Sequence, residues 1–414
     1  MSNKAEIAET GDLVRCTIGS EETEGTYITG RDGMAVVKLN SGYNIGVLED
    51  ACTLVKKQKA AEPIEPAEIK QDSSLPPVSI ISTGGTIASR IEYRTGAVTS
   101  QFRATDILHA IPGLSSIARF QAVQLSNILS ENMTPAIWQQ LARAVHDEIA
   151  AGAQGVIVTH GTDTMAYSAA AVSFMVQTPI PIVFVGSQRS ADRPSSDNLM
   201  NGLCAATAAT ADLGEVVVVM HAGTSDDICA VHRGTRVRKM HTSRRDAFVS
   251  HGIPPVGTVT YPDLAISFSN DVVRRGAQTL SLDEALDDRC GLLYYYPGMD
   301  PAILNGYTGY HGLIIAGTGL GHVSSAFITR LRTLIDDGLL VVMTSQCLYG
   351  RVCDRVYDTG RDLLKAGVIE GEDMLPEVAL VKLMWTLANT GSAAEACELM
   401  RSNLRGEMCR RSLA

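Results

Sequence analysis

Two short stretches of this 414-residue chain concentrate side chains that could do chemistry. The first is Ser82-Thr83-Gly84-Gly85-Thr86-Ile87-Ala88, which follows the apolar run Val78-Ser79-Ile80-Ile81. Paired glycines let a backbone turn tightly and approach a ligand closely, and Thr86 would be presented on that turn. The segment alone also fits a phosphate-binding loop or a plain strand-to-helix turn. The second stretch is Val158-Thr159-His160-Gly161-Thr162-Asp163-Thr164, again after an apolar run, Gly155-Val156-Ile157-Val158. Its plainest reading is a helix N-cap, since Thr or Asp ahead of a helix satisfies free amides. A cap uses one residue, however, and buried hydroxyls and carboxylates need partners.

These stretches sit where ligands bind in open α/β sheets, beyond the carboxyl ends of strands. Short β-branched runs alternate with helical stretches from Pro77 onward. Further strands are read at Ile182-Val183-Phe184-Val185 and Val216-Val217-Val218-Val219-Met220, and helices at 134 to 150, 164 to 176 and 198 to 212. Near-continuously apolar strands imply a parallel sheet covered on both faces. The reading is a doubly wound α/β domain over 77–275. A smaller α/β domain follows over 290–390, with strands at 292 to 295, 312 to 316 and 339 to 343 and helices at 323 to 337 and 376 to 388. Residues 1–55 carry short strands punctuated by Gly30-Arg31-Asp32-Gly33 and Asn40-Ser41-Gly42, which suits a small β-barrel. Residues 56–76, beginning KKQKAAEPIEP, read as a linker, and 391–414 as a helical tail.

The two motifs together, TGGTI and VTHGTDTM, resemble the double signature of the asparaginase and glutaminase family of two-threonine amidohydrolases, and the resemblance runs in order from about 77 to 390. It implies an asparaginase-like fold and a catalytic set of Thr86, Thr162, Asp163 and Lys239, the lysine lying in Arg238-Lys239-Met240-His241-Thr242. Without the resemblance that stretch reads as basic surface, since Arg233, Arg236, Arg238, Arg244 and Arg245 surround the lysine. Within Asn127-Ile128-Leu129-Ser130-Glu131-Asn132-Met133, Ser130 and Glu131 would hold the α-carboxylate and α-amino groups of an amino-acid substrate. An ammonium needs an acidic partner, which Glu131 supplies. Ser187, in Val185-Gly186-Ser187-Gln188-Arg189, would line the side-chain pocket, and Tyr93 would assist from a lid. His160 is expected to support the turn. The residues do not order the two threonines or separate glutamine from asparagine, which differ by one methylene, worth about 1–3 kcal/mol in a pocket.

The extra N-terminal unit and tail resemble one branch of that family, the D subunits of archaeal glutamyl-tRNA(Gln) amidotransferases. This implies glutamine hydrolysis to supply ammonia, and no cofactor in this chain. It also implies a partner, the E subunit of such enzymes, that binds Glu-tRNA(Gln) and uses ATP and Mg2+, with a homodimer of this chain inside a heterotetramer. The alternative is a stand-alone L-asparaginase with an accessory domain.

Bulk properties agree with these expectations. The net charge of −10 disfavours direct nucleic-acid binding by a broad basic face. Nine loosely spaced cysteines with no Cys-x-x-Cys argue against a disulfide framework or zinc site and for free thiols in a reducing compartment. No HExxH spacing occurs among the histidines. A polar N-terminus with no apolar run behind it and the lack of an 18-residue apolar stretch lead to the expectation of a cytoplasmic protein.

Overall fold

A computed structural model describes residues 8–41, 44–57, 71–84, 104–189 and 195–411. Thr86 and Tyr93 lie outside the described residues, as does most of the expected linker.

The N-terminal unit has β1 (Leu13–Ile18), β2 (Glu21–Arg31), β3 (Met34–Leu39), β4 (Asn44–Leu48) and β5 (Cys52–Lys56). They form one antiparallel sheet in the order β4-β3-β2-β1-β5. Period-2 alternation sends Val14, Cys16, Tyr27, Ala35, Val37 and Val47 into a small barrel-like core.

The next unit contains β6 (Pro77–Ser82), α1 (Ala104–Ala110), β7 (Arg119–Gln124), α2 (Pro135–Ala150), β8 (Gly155–Thr159), α3 (Met165–Met175), β9 (Val176–Gln177), β10 (Ile182–Val185), α4 (Asn198–Thr210), β11 (Val216–His221) and β12 (Ile228–Arg233). It continues through β13 (Val237–Lys239), β14 (Phe248–Ser250), β15 (Gly257–Thr260), β16 (Ile266–Phe268) and β17 (Ser281–Leu282). Its main sheet has the order β16-β15-β12-β11-β10-β8-β6-β7. Strands β7, β6, β8, β10 and β11 are mutually parallel, while β12, β15 and β16 add an antiparallel edge absent from the sequence reading. Alternate residues face opposite layers. Ile81, Val156, Val158 and Phe184 pack with Leu141 of α2 and Met165 of α3. Val78, Ile80, Ile157 and Val183 pack with Leu108 of α1 and Leu203 of α4. Burying each such side chain contributes about 1.5–3 kcal/mol, and the double burial explains why the strands read as unbroken apolar runs.

The C-terminal unit has β18 (Cys290–Tyr294), β19 (Gly312–Gly317), α5 (Ser325–Asp336), β20 (Leu340–Ser345), α6 (Asp358–Lys365), β21 (Ile369–Glu370), α7 (Pro376–Ala388) and α8 (Ala393–Arg401). Its sheet, β18-β19-β20-β21, is parallel throughout. One face of α7 packs on this sheet through Leu383, and Val378 and Val381 enter the core around α3. This explains why α3, MAYSAAAVSFM, is apolar all round: it is enclosed by α2, the sheet and α7. Among its described residues, the tail is helical only over α8. Beyond it, Glu407 accepts hydrogen bonds from the Leu404 and Arg405 amides (3.0 and 2.6 Å) and folds the chain back into a turn.

Candidate active site

Sheet order places the crevice. The chain runs from β6 outward to β7, then crosses to β8 on the other side of β6. A reversal of this kind opens a cleft beyond the carboxyl ends of the two strands. The second motif lies there, as does the described start of the first, Ser82-Thr83-Gly84. The Thr83 amide donates to the Thr159 carbonyl (3.1 Å), and the His160 amide to the Val185 carbonyl (3.0 Å), so three strand ends are laced together. Gly84 has φ +118°, and a Cβ there would lie 2.4 Å from the Ile128 carbonyl oxygen. Only glycine lets this turn approach the 126–128 loop so closely.

The segment 160–164 does not cap α3 through a side chain. Instead, the Thr164 hydroxyl donates to the Ser130 carbonyl (2.7 Å) and anchors the substrate-loop candidate against the motif. A Cβ on Gly161 would lie 2.6 Å from Ser130 Cβ, so this glycine also permits a close backbone approach. Ser130 is 7% exposed, and Glu131 stands exposed on the same single turn, Ser130–Asn132.

Lys239 arrives from a distant hairpin, β13 paired with β14, whose last pair is Lys239 with Phe248. Its Nζ lies 2.8 Å from Thr162 Oγ1 and 2.7 Å from Asp163 Oδ1. The lysine side chain is 13% exposed and the aspartate 69%, so the amine is sheltered while its carboxylate partner meets solvent. Three of the four groups named as catalytic from the sequence therefore form a hydrogen-bonded trio, and the fourth, Thr86, lies two residues past described Gly84.

His160 is buried, its Nδ1 is 2.7 Å from the Gly161 carbonyl oxygen, and its ring tilts against Phe184. Burial pushes its pKa down to about 4, so the ring is neutral at pH 7. Ser187 is 6% exposed, with its hydroxyl between Asp197 Oδ1 (2.7 Å) and the Arg189 carbonyl. Asp197 was not singled out from the sequence. It is fully buried and accepts from the Gln188 and Arg189 amides (2.9 Å each) and from Asn201 (2.9 Å), so it shapes the third strand end. The signal available was an aspartate directly ahead of α4.

The alternative reading of the stretch around Lys239 as basic surface holds for Arg244, whose side chain is 54% exposed, and fails for its neighbours. Arg236 is 1% exposed, and Arg233 and Arg245 have side chains 12% exposed. Arg233 pairs with Glu215, Arg245 with Asp226, and Arg236 with Asp373. Sequence alone cannot separate a solvated arginine cluster from one in which each cation meets its own carboxylate across the fold.

The comparisons with known proteins agree with this geometry. Residues 77–273 match the family model "Asparaginase, N-terminal" and residues 289–400 match "Glutaminase/Asparaginase C-terminal domain". A protein of Methanosarcina mazei, named as the D subunit of glutamyl-tRNA(Gln) amidotransferase, is 54% identical over 414 residues, covering 96% of this chain and 97% of that protein. The chain belongs to the asparaginase family, in its amidotransferase D-subunit branch. An Archaeoglobus fulgidus protein of the same name is 54% identical over 400 residues, covering 96% of this chain and 95% of that one. Among solved members of the asparaginase family, the thermostable L-asparaginase of Thermococcus kodakarensis superposes with TM-score 0.71 at 30% identity, covering 80% of this chain and 99% of that one. Among the described residues, no helix is long and apolar enough to cross a membrane.

Proposed function

We propose that this chain hydrolyses the side-chain amide of glutamine and is the ammonia-donating component of a tRNA-dependent amidotransferase. The observation that carries the reading is Lys239 Nζ within hydrogen-bond reach of both Thr162 and Asp163. A threonine hydroxyl is a weak nucleophile until a base takes its proton. As an ammonium, Lys239 donates to both neighbours; as a neutral amine, it accepts a proton from a hydroxyl or water. Asp163 orients the amine, as the third group orients the base in hydrolytic triads. Thr86 attacks the substrate carbonyl, the proton taken from its hydroxyl is passed to the departing amide nitrogen, and an acyl-enzyme forms as ammonia leaves. Water activated at Thr162 and Lys239 then releases glutamate. Backbone amides at Gly161 and Thr162, ahead of the positive end of α3, stabilise the oxyanion. Ser130 and Glu131 bind the α-carboxylate and α-ammonium, and Ser187 and Tyr93 complete the pocket and lid.

The rest of the assignment follows the D-subunit relatives. Ammonia passes to a partner, the E subunit, which binds Glu-tRNA(Gln), activates it with ATP and Mg2+, and yields Gln-tRNA(Gln); this chain is a homodimer within the heterotetramer. The test is ammonia release from glutamine with and without the partner, ATP and Glu-tRNA(Gln). A rise on adding them is expected. Equal turnover of free asparagine, indifferent to the partner, would instead identify a stand-alone L-asparaginase.

A further inference from the structure

The strand that delivers Lys239 is three residues long and pairs with another of three residues. A ribbon so short does not hold its own geometry in water. What flanks it must fix the lysine. Thr235 Oγ1 donates to the Arg405 carbonyl (2.9 Å). Arg236 Nε donates to the Gly406 carbonyl (2.9 Å), Nη1 to the Asp373 carbonyl (3.1 Å), and Nη2 to Asp373 Oδ2 (3.1 Å) and Cys409 Sγ (3.0 Å). Arg238 lies 3.5 Å from Glu377, in the first turn of α7. Thus three of the four residues ahead of Lys239 are tied to the C-terminal unit.

The receiving side is itself fixed. The Cys409 amide donates to Asp373 Oδ1 (3.0 Å), and Lys382 and Glu407 form a fully buried ion pair at 2.6 Å. Burying an arginine among such partners is not the cheapest way to make a stable core, because apolar residues of similar volume often serve as well. What the guanidinium supplies is direction: a rigid fork with fixed donor angles.

We propose that Arg236 and the C-terminal turn 404–409 are positioning elements that set Lys239 against Thr162. The proposal rests on the reading of Lys239 as the catalytic base. Arg236 touches no reacting atom in this account; it acts through the strand. Active-site groups must be held within about 0.5 Å of their working geometry, and a displacement of about 1 Å can cost about a hundredfold in rate.

The test uses the full chain and glutamine hydrolysis. Thr235→Val with Cys409→Ala removes two ties and leaves the Arg236–Asp373 ion pair in place. Arg236→Lys keeps the charge but loses the fork. The expected result for both is a fall in kcat of about tenfold, KM within twofold, and a folded protein by circular dichroism. Lys239→Ala is measured alongside. Should it retain wild-type turnover, the reading of the base fails. Should it be inactive while both clamp variants keep wild-type kcat, or lose activity only through KM, the positioning proposal alone is overturned.

Discussion

Lys239→Met removes the amine while keeping a long, unbranched side chain. In the native site the Nζ atom makes two short contacts, to Thr162 Oγ1 at 2.8 Å and Asp163 Oδ1 at 2.7 Å. Their loss costs little folding energy. Asp163 is 69% exposed and is hydrated once its partner goes, and exposed ion pairs are worth about 0–1 kcal/mol. The catalytic loss is larger. A positioned general base contributes about 10²–10⁴-fold, which at about 1.36 kcal/mol per tenfold is roughly 3–5 kcal/mol of barrier. Coupled ammonia release from glutamine, with a thermal melt in parallel, separates the two effects. We expect kcat to fall by at least a hundredfold, with KM nearly unchanged and the midpoint within a few degrees. A variant whose kcat stays within threefold of wild type would refute the assignment of the base.

Other consequences can be checked by kinetics and unfolding. Gly161→Ala puts a Cβ 2.6 Å from Ser130 Cβ; it should raise KM for glutamine about tenfold by moving the loop proposed to hold the α-carboxylate, and an unchanged KM would dissociate Ser130 from substrate binding. Lys382→Met leaves Glu407 buried without its cation, and urea unfolding should show a loss of about 3–5 kcal/mol, only partly recovered by adding Glu407→Leu, which also takes the acceptor from the Leu404 and Arg405 amides. Buried His160 and His232 have pKa values pushed down by burial to about 4 and about 3, so the unfolded chain takes up their protons first and stability falls as pH drops from about 6.5 toward 4. Asp354, raised to about 7 by burial and Glu370, works in the opposite direction over that window; Asp354→Asn should therefore steepen the loss by about one proton, or about 1.4 kcal/mol per pH unit, and parallel slopes for variant and wild type would contradict this.

Parts of this architecture are legible in the sequence for physical reasons. Strands β6, β8, β10 and β11 are buried on both faces, so they appear as bare apolar runs, and their ends carry the polar residues that only a cleft would use. Pro135 opens α2 behind Thr134, whose hydroxyl accepts from the Ile137 amide, so the start of this helix is encoded locally. The antiparallel edge is another matter. Strands β15 and β16 are short and half-exposed, with Thr and Ser interleaved, and their pairing depends on β12 already being present. The hairpin of Lys239 has too few residues for any period to show. Residues 402–411 leave the helix with Gly406 at φ +76°: Lys382 and Arg236 donate to the Ser402 and Gly406 carbonyls from elsewhere in the fold, and Glu407 accepts from the Leu404 amide within the segment. Arg233, Arg236 and Arg245 look like surface because composition reports charge and not the distant carboxylates that neutralise it.

The most direct measurement is ammonia release from glutamine by Thr86→Val, alongside glutamine binding by calorimetry. The account predicts turnover reduced to background with binding and thermal midpoint preserved. Ammonia release at the wild-type rate would contradict it.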